Sequence, residues 1–170
     1  MESTYQPVYT MLVQQWCLLI DSTNWSAGWK IMVTTNETHT IMILDDDEDI
    51  LNLYSDYLSR KGHRVLHTYV NADTILDDID IECPDVYIID YRLLGNMNGI
   101  EVAVEILNKF PSACIIFITA FELLEQEISK RDIFYDKNID VLIKPVKLNQ
   151  IQNSLINLLS TTQDPNFVTL

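Results

Sequence analysis

The chain has 170 residues, 48% of them hydrophobic, which is enough for a packed core in one domain of ordinary size with a modest extra segment and excludes global disorder. Its 25 acidic residues against 11 basic ones give a formal net charge of −14, the wrong sign for neutralising a nucleic-acid backbone. Cys17, Cys83 and Cys114 have neither metal-ligand nor redox spacing, so they read as reduced thiols acting as small apolar residues in a cytoplasmic protein.

Residues 1–38 hold all three tryptophans, Trp16, Trp25 and Trp29, and do not share the pattern that follows. The most apolar stretch here, Met11 to Ile20, is interrupted by Gln14 and Gln15 and is too short to span a bilayer. No basic residue precedes it as a signal peptide requires. This extension packs on the rest of the chain, makes dimer contacts, or is an untranslated stretch with Met32 as a conventional start; the last two readings are preferred equally.

From residue 39 to residue 160, apolar runs alternate with helical patterns, the signature of a doubly wound α/β domain. The first run, Ile41-Met42-Ile43-Leu44, ends in Asp45-Asp46-Asp47 and reads as a buried parallel strand. Ile50, Leu51, Tyr54 and Leu58 then recur at helical spacing, and Lys61-Gly62 supplies a stop. Arg64 to Tyr69 is a candidate edge strand whose alternation is poor. Asn71 can cap a helix burying Ala72, Ile75, Leu76 and Ile79, and Pro84 introduces the third strand, Val86 to Ile89, which ends at Asp90.

Ile100, Ala103, Val104 and Leu107 mark a third helix that stops before Pro111. The fourth run, Cys114 to Ile118, ends at Thr119 beside the small Ala120, and Leu123, Leu124, Glu127 and Ile128 lie on a fourth helix. Phe134 and Tyr135 are expected in the core. The fifth run, Val141-Leu142-Ile143, ends in Lys144-Pro145, and Leu148, Ile151, Leu155, Ile156 and Leu159 form the stripe by which a fifth helix packs on the sheet. Residues 161–170 are a tail too short for an output domain, so the domain is expected to stand alone.

In parallel sheets the ligand crevice lies beyond the carboxyl ends of the strands, so Asp45, Asp46, Asp90, Thr119 and Lys144 are expected to converge. Two like charges about 4 Å apart repel by roughly 4 kcal/mol at an effective dielectric near 20, so the acids require a counter-ion. Lys144 supplies one positive charge, and a hard cation such as Mg²⁺ supplies two. Such a pocket can receive a phosphoryl group, with a carboxylate oxygen as nucleophile and the Thr119 hydroxyl on a phosphoryl oxygen. Asp47, Glu48 and Asp49 read instead as a solvated helix start.

Together these residues resemble the receiver domain of two-component response regulators, from Thr40 to Ser160. The resemblance implies a flavodoxin-like five-stranded parallel sheet in the order 2-1-3-4-5. It implies that Asp90 is the phosphoacceptor, that Asp45 and Asp46 form the acidic pair for Mg²⁺, and that Asp46 and the Arg92 carbonyl join Asp90 as direct ligands while Asp45 acts largely through water. Thr119 matches the family's switch hydroxyl. Lys144 matches its phosphate-contacting lysine, whose bond to Pro145 is typically cis. The implied function is that of a single-domain response regulator in a phosphorelay. A histidine kinase or histidine phosphotransfer protein is the donor, and the receiver catalyses its own phosphorylation and its slow autodephosphorylation. The fourth helix, fifth strand and fifth helix would present a surface to an unknown downstream protein or to a second copy in a dimer. No nucleic-acid or membrane partner is implied, and His39, His63 and His67 are no donors.

The chain departs from the family in three places. The loop after Asp90 lacks the usual proline and has its glycine, Gly99, one residue late, which a turn at Gly95-Asn96 can absorb. Val141 stands where many receivers carry a switching Tyr or Phe. Arg92 and Phe121 occupy the positions flanking the path of the hydrolytic water, and a bulky apolar Phe121 should slow dephosphorylation. Three other readings compete with this one. A pseudo-receiver would keep the fold without the chemistry. A haloacid-dehalogenase-like phosphatase would use Asp45 as nucleophile and Asp47 as acid/base, but leaves Asp90 idle and finds only Asp164 as an acid after the lysine. A calcium loop at Asp45 to Asp49 has Ile50 where glycine belongs.

Overall fold

Strand β1 (Thr40–Leu44) is flanked by β2 (Arg64–Tyr69) and β3 (Val86–Ile89), and the parallel sheet continues through β4 (Cys114–Thr119) to β5 (Ile139–Ile143), giving the flavodoxin-like order β2-β1-β3-β4-β5. The structure is a computed structural model and describes residues 37–162. The expectations for residues 1–36, including the Met32 start, and for the end of the tail lie outside the described residues.

Helices α1 (Glu48–Arg60), α2 (Ala72–Asp78), α3 (Gly99–Lys109), α4 (Leu124–Ser129) and α5 (Leu148–Thr162), with a 3-10 turn at Asp132–Phe134, make the connections. Alternate strand residues divide the core into two layers. Met42, Leu44, Tyr87, Ile89, Ile115 and Phe117 face α2, α3 and α4, whereas Ile41, Ile43, Val86, Ile88, Ile116 and Ile118 face α1 and α5. Burial on both faces explains why the central strands read as unbroken apolar runs.

Local chemistry sets the element ends. Asp47 caps α1, its carboxylate accepting from Asp49 N–H at 2.9 Å and Ile50 N–H at 3.3 Å, and Glu48 and Asp49 occupy the first turn, favourable at the positive end of the helix dipole. Gly62 closes the helix at φ +94°, a conformation that favours glycine. Asn71 caps α2 through Thr74 N–H. Asn98 and Glu101 form a reciprocal capping box at the start of α3.

The poor alternation of β2 has a local cause. The register runs Ile41 to Val65 and then Met42 to His67, so Leu66 is an extra residue that reverses the facing of everything after it. Three expectations are corrected. Tyr135 is 85% exposed rather than in the core, because the chain turns outward after the 3-10 segment, where Phe134 is the buried ring. Ile156 is 47% exposed, and the buried position beside Leu155 belongs to Ser154, whose hydroxyl donates to Asp140 Oδ2 at 2.5 Å. Leu123 is half-exposed and is the N-cap of α4, one residue before the helix rather than on it.

His63, at the end of the sheet opposite the strand-end acids, is buried. Its Nδ1 accepts from His39 N–H at 3.4 Å, so the neutral ring carries its hydrogen on Nε2, which donates to Gln152 Oε1 at 3.1 Å. Burial lowers its pKa, and the stacked His39 ring, 5.5 Å away, adds to the effect against the opposing Gln152 bond. A histidine lowered in the folded state leaves stability complete above its unfolded value of about 6.5, and that stability is lost as pH falls through the folded value. Denaturation midpoints are expected to fall between about pH 7.5 and about pH 5.5, with the slope flattened in His63→Asn; equal slopes would remove His63 from the account.

Candidate functional site

The carboxyl ends of β1, β3, β4 and β5 bring the polar residues together. Leu44 and Ile89 are register partners, so Asp45 and Asp90 leave neighbouring strands side by side. Asp90 N–H donates to Leu44 C=O at 2.8 Å and Asp45 N–H to Tyr69 C=O at 3.1 Å, which fixes both backbones before the side chains are placed. Asp45 Oδ1 accepts from Asp47 N–H at 3.0 Å, and Asp90 Oδ1 from Arg92 N–H at 3.3 Å. Lys144 N–H donates to Thr119 C=O at 2.7 Å, and the Lys144–Pro145 bond is cis.

Lys144 Nζ donates to Asp45 Oδ2 at 2.8 Å and Asp90 Oδ2 at 2.9 Å. The two carboxylate side chains are 3% and 9% exposed and the lysine 25%, so the bridge is poorly screened. Burial works against the ammonium, but hydrogen bonds to Asp45 and Asp90, with their charges, outweigh it and raise its pKa. A raised lysine keeps its full contribution below about pH 10 and loses it only as pH climbs through the folded value. Its charge is therefore constant over the physiological range.

Asp46 completes an acidic cluster in which one oxygen from each of Asp45, Asp46 and Asp90 lies within 4.8 Å of the others. Among the described residues, the Asp46 carboxylate has no hydrogen-bond partner. At such spacings each like pair repels by roughly 3–4 kcal/mol at an effective dielectric near 20, and one ammonium leaves two negative charges uncompensated. An all-carboxylate donor set with one acid free fits a hard divalent cation. Thr119 is fully buried; its Oγ1 accepts from Phe121 N–H at 3.2 Å, which leaves the hydroxyl hydrogen for another acceptor.

The family model of the response regulator receiver domain matches residues 41–156. The chain is a receiver of two-component signalling. It is 31% identical over 119 residues, 68% of its length, to an uncharacterized response regulatory protein of Vibrio cholerae, of which it spans 43%. A receiver protein from Sinorhizobium medicae superposes with TM-score 0.64 at 21% identity, covering 75% of this chain and 98% of that one. A CheY from Borrelia burgdorferi, solved in complex with CheX, BeF3 and Mg, gives TM-score 0.62 at 16% identity, covering 71% of this chain and 88% of the other. These solved structures agree with the fold alone.

Further residues of the receiver enter the site. Gly99 N–H donates to Tyr91 C=O at 2.9 Å, and a Cβ on Gly99 would lie 2.2 Å from the Asp90 carbonyl oxygen. Close approach, not an unusual dihedral, therefore requires glycine there, whereas Gly95, at φ +123°, adopts a conformation that favours glycine. Tyr54, which sequence spacing assigns to the core, is buried yet near enough for the charges of Lys144, Asp45 and Asp90 to act on its phenol; burial is the largest effect and raises its pKa. Phe121 stacks on Tyr91, a residue that sequence reasoning passed over because an aromatic beside an aspartate carries no periodic signal. Val141 is half-buried against the α4 side of the core.

Lys144→Met is expected to lower stability by about 2 kcal/mol at neutral pH, because two poorly screened carboxylates lose their shared counter-charge. The deficit should shrink on addition of Mg²⁺. Denaturant titrations with and without the ion measure it; a deficit indifferent to Mg²⁺ would mean that Lys144 acts through packing alone.

Proposed function

We propose that this receiver accepts a phosphoryl group on Asp90 and uses it to change its partner-binding surface. The observation that carries the proposal is the Lys144 ammonium held between Asp45 and Asp90, with Asp46 beside them, unpaired among the described residues, and the Thr119 hydroxyl on the adjoining strand. This arrangement is poised for one more cation and one more anion.

An Asp90 carboxylate oxygen attacks phosphorus of a phosphohistidine on a histidine kinase or phosphotransfer protein. A bond to oxygen forms, the bond to the imidazole nitrogen breaks, and the donor histidine leaves with its electron pair. Lys144 neutralises the charge on the phosphoryl oxygens, and Thr119 donates its hydroxyl hydrogen to one of them. Asp45, Asp46, Asp90 and the Arg92 carbonyl are the groups that would hold Mg²⁺, whose two charges lower the barrier to an anion entering an acidic pocket.

The output surface proposed is the face of α4, β5 and α5. A groove of about 680 Å³ opens between α4, the 3-10 turn and β5, with Ile128, Phe134, Ile139 and Val141 among its lining and the exposed Tyr135 at its rim. A downstream protein or a second copy of the receiver would dock there.

With acetyl phosphate and Mg²⁺, intact mass should show one added phosphoryl group on the wild type and none on Asp90→Asn or after chelation of the metal. An unlabelled wild type would sink the phosphoacceptor reading. Phe121 should also prolong the acyl phosphate by excluding water, so Phe121→Glu and Phe121→Asn are expected to shorten its half-life by roughly tenfold, the scale on which an oriented proton acceptor acts. A half-life no longer in the native protein counts against that role.

A further inference from the structure

The Phe121 ring is held by more than its own loop. It stacks on Tyr91, with ring centroids 5.0 Å apart and planes 22° from parallel, and the Arg92 guanidinium carbon lies 5.9 Å from its centroid. Tyr91 and Arg92 are the two residues that follow Asp90, and Arg92 N–H is bonded to the Asp90 carboxylate. Phe121 N–H is in turn bonded to the Thr119 hydroxyl oxygen. The ring therefore bridges the loop after β3 and the loop after β4, tethered through its backbone to Thr119 and through its face to Tyr91.

From this bridge we infer that Tyr91 is a positioning residue that sets the lifetime of the acyl phosphate by holding Phe121 against the residues beside Asp90. The inference rests on Asp90 being the phosphoacceptor. Hydrolysis adds a water oxygen to phosphorus and breaks the bond between phosphorus and the Asp90 oxygen, releasing orthophosphate and the free carboxylate; the proton lost by the water passes to phosphate or solvent. Water must approach opposite the breaking bond, and an aromatic ring fixed across the two loops offers it no hydrogen bond and little room. A ring hinged only at its own Cα can swing aside, and the Tyr91 contact opposes that swing. Offset aromatic pairs contribute beyond their buried area, on a scale that shifts a two-position equilibrium roughly 3- to 10-fold.

The test uses the full chain, labelled with acetyl phosphate and Mg²⁺, freed of donor and followed by intact mass. Tyr91→Ala should shorten the half-life roughly 3- to 10-fold, while Tyr91→Phe, which keeps the stacking face, should restore the wild-type value. In a Phe121→Ala background, Tyr91→Ala should have no further effect, because the ring through which Tyr91 acts is gone. Labelled protein with an unchanged Tyr91→Ala half-life, or with effects of the two substitutions that multiply independently, overturns the inference and leaves the phosphoacceptor reading intact. Absence of labelling on every variant and on the wild type overturns that reading and this inference with it.

Discussion

Three carboxylates whose oxygens crowd within 4.8 Å repel one another unless positive charge is kept among them, and the sheet is what enforces the crowding. β1 and β3 are hydrogen-bonded neighbours in register, so the residues after Leu44 and Ile89 have no room to diverge. The compensating charge comes from β5, two strands from β3, along the Lys144 stem. Its backbone is bonded to the end of β4, which fixes where that stem begins. Lysine suits this position better than arginine: a compact ammonium on a flexible chain can shift when another cation or anion arrives, whereas a planar guanidinium is tied to its fork geometry.

The same sheet must keep its outer strands from pairing with other chains, and it does so differently at each edge. At β2, Glu82 lies 3.7 Å from Arg64 and 3.6 Å from His67, covering the edge with exposed charge. At β5 the ladder bonds from Ile115 to Asn138 and from Lys144 to Thr119 turn the even-numbered backbone groups inward, so those of Ile139 and Val141 face out. Two of the outward N–H groups of β5 are already satisfied, Ile139 by the Lys137 carbonyl and Val141 by the Asp140 carboxylate, which leaves that of Ile143. An added strand would find few donors there, which leaves the side-chain groove beside β5 as the better surface for a partner. Asp140 also accepts from Ser154, so the carboxylate that seals the edge ties β5 to α5.

Much of this was legible in the sequence because buried parallel strands are written as unbroken apolar runs and the residues of the candidate site as the first polar ones after them. Asp45, Asp90, Thr119 and Lys144 converge for that reason alone. What escaped was whatever depends on a neighbour remote in sequence. Leu66 looks like poor alternation until its bulge against β1 is seen. Ser154 looks like a break in an apolar stripe until Asp140 is found opposite it. Tyr91 and Phe121 lie in different loops, and no pattern within either announces that their rings meet. Gly99 was visible as a glycine one residue late, but its reason, the Asp90 carbonyl pressed against its Cα, is a matter of tertiary distance.

Under the proposed function, the small Val141 directs attention to what Thr119 does touch. Its carbonyl is bonded to Lys144 and its hydroxyl to the Phe121 backbone, so a hydroxyl drawn toward a phosphoryl oxygen pulls on the loop leading into α4. Leu124 N–H, the first of that helix, is bonded to the Phe121 carbonyl. Helix α4 has six residues and no side-chain cap at its start, so little local energy holds it in one place. Elements of low local stability are the ones a modest differential interaction can shift. A phosphoryl group that interacts even slightly better with one placement of Thr119 would therefore act first on α4, and α4 is one wall of the groove beside β5. The path from Asp90 to a partner surface needs no ring at position 141, because the loop between β4 and α4 already connects the two.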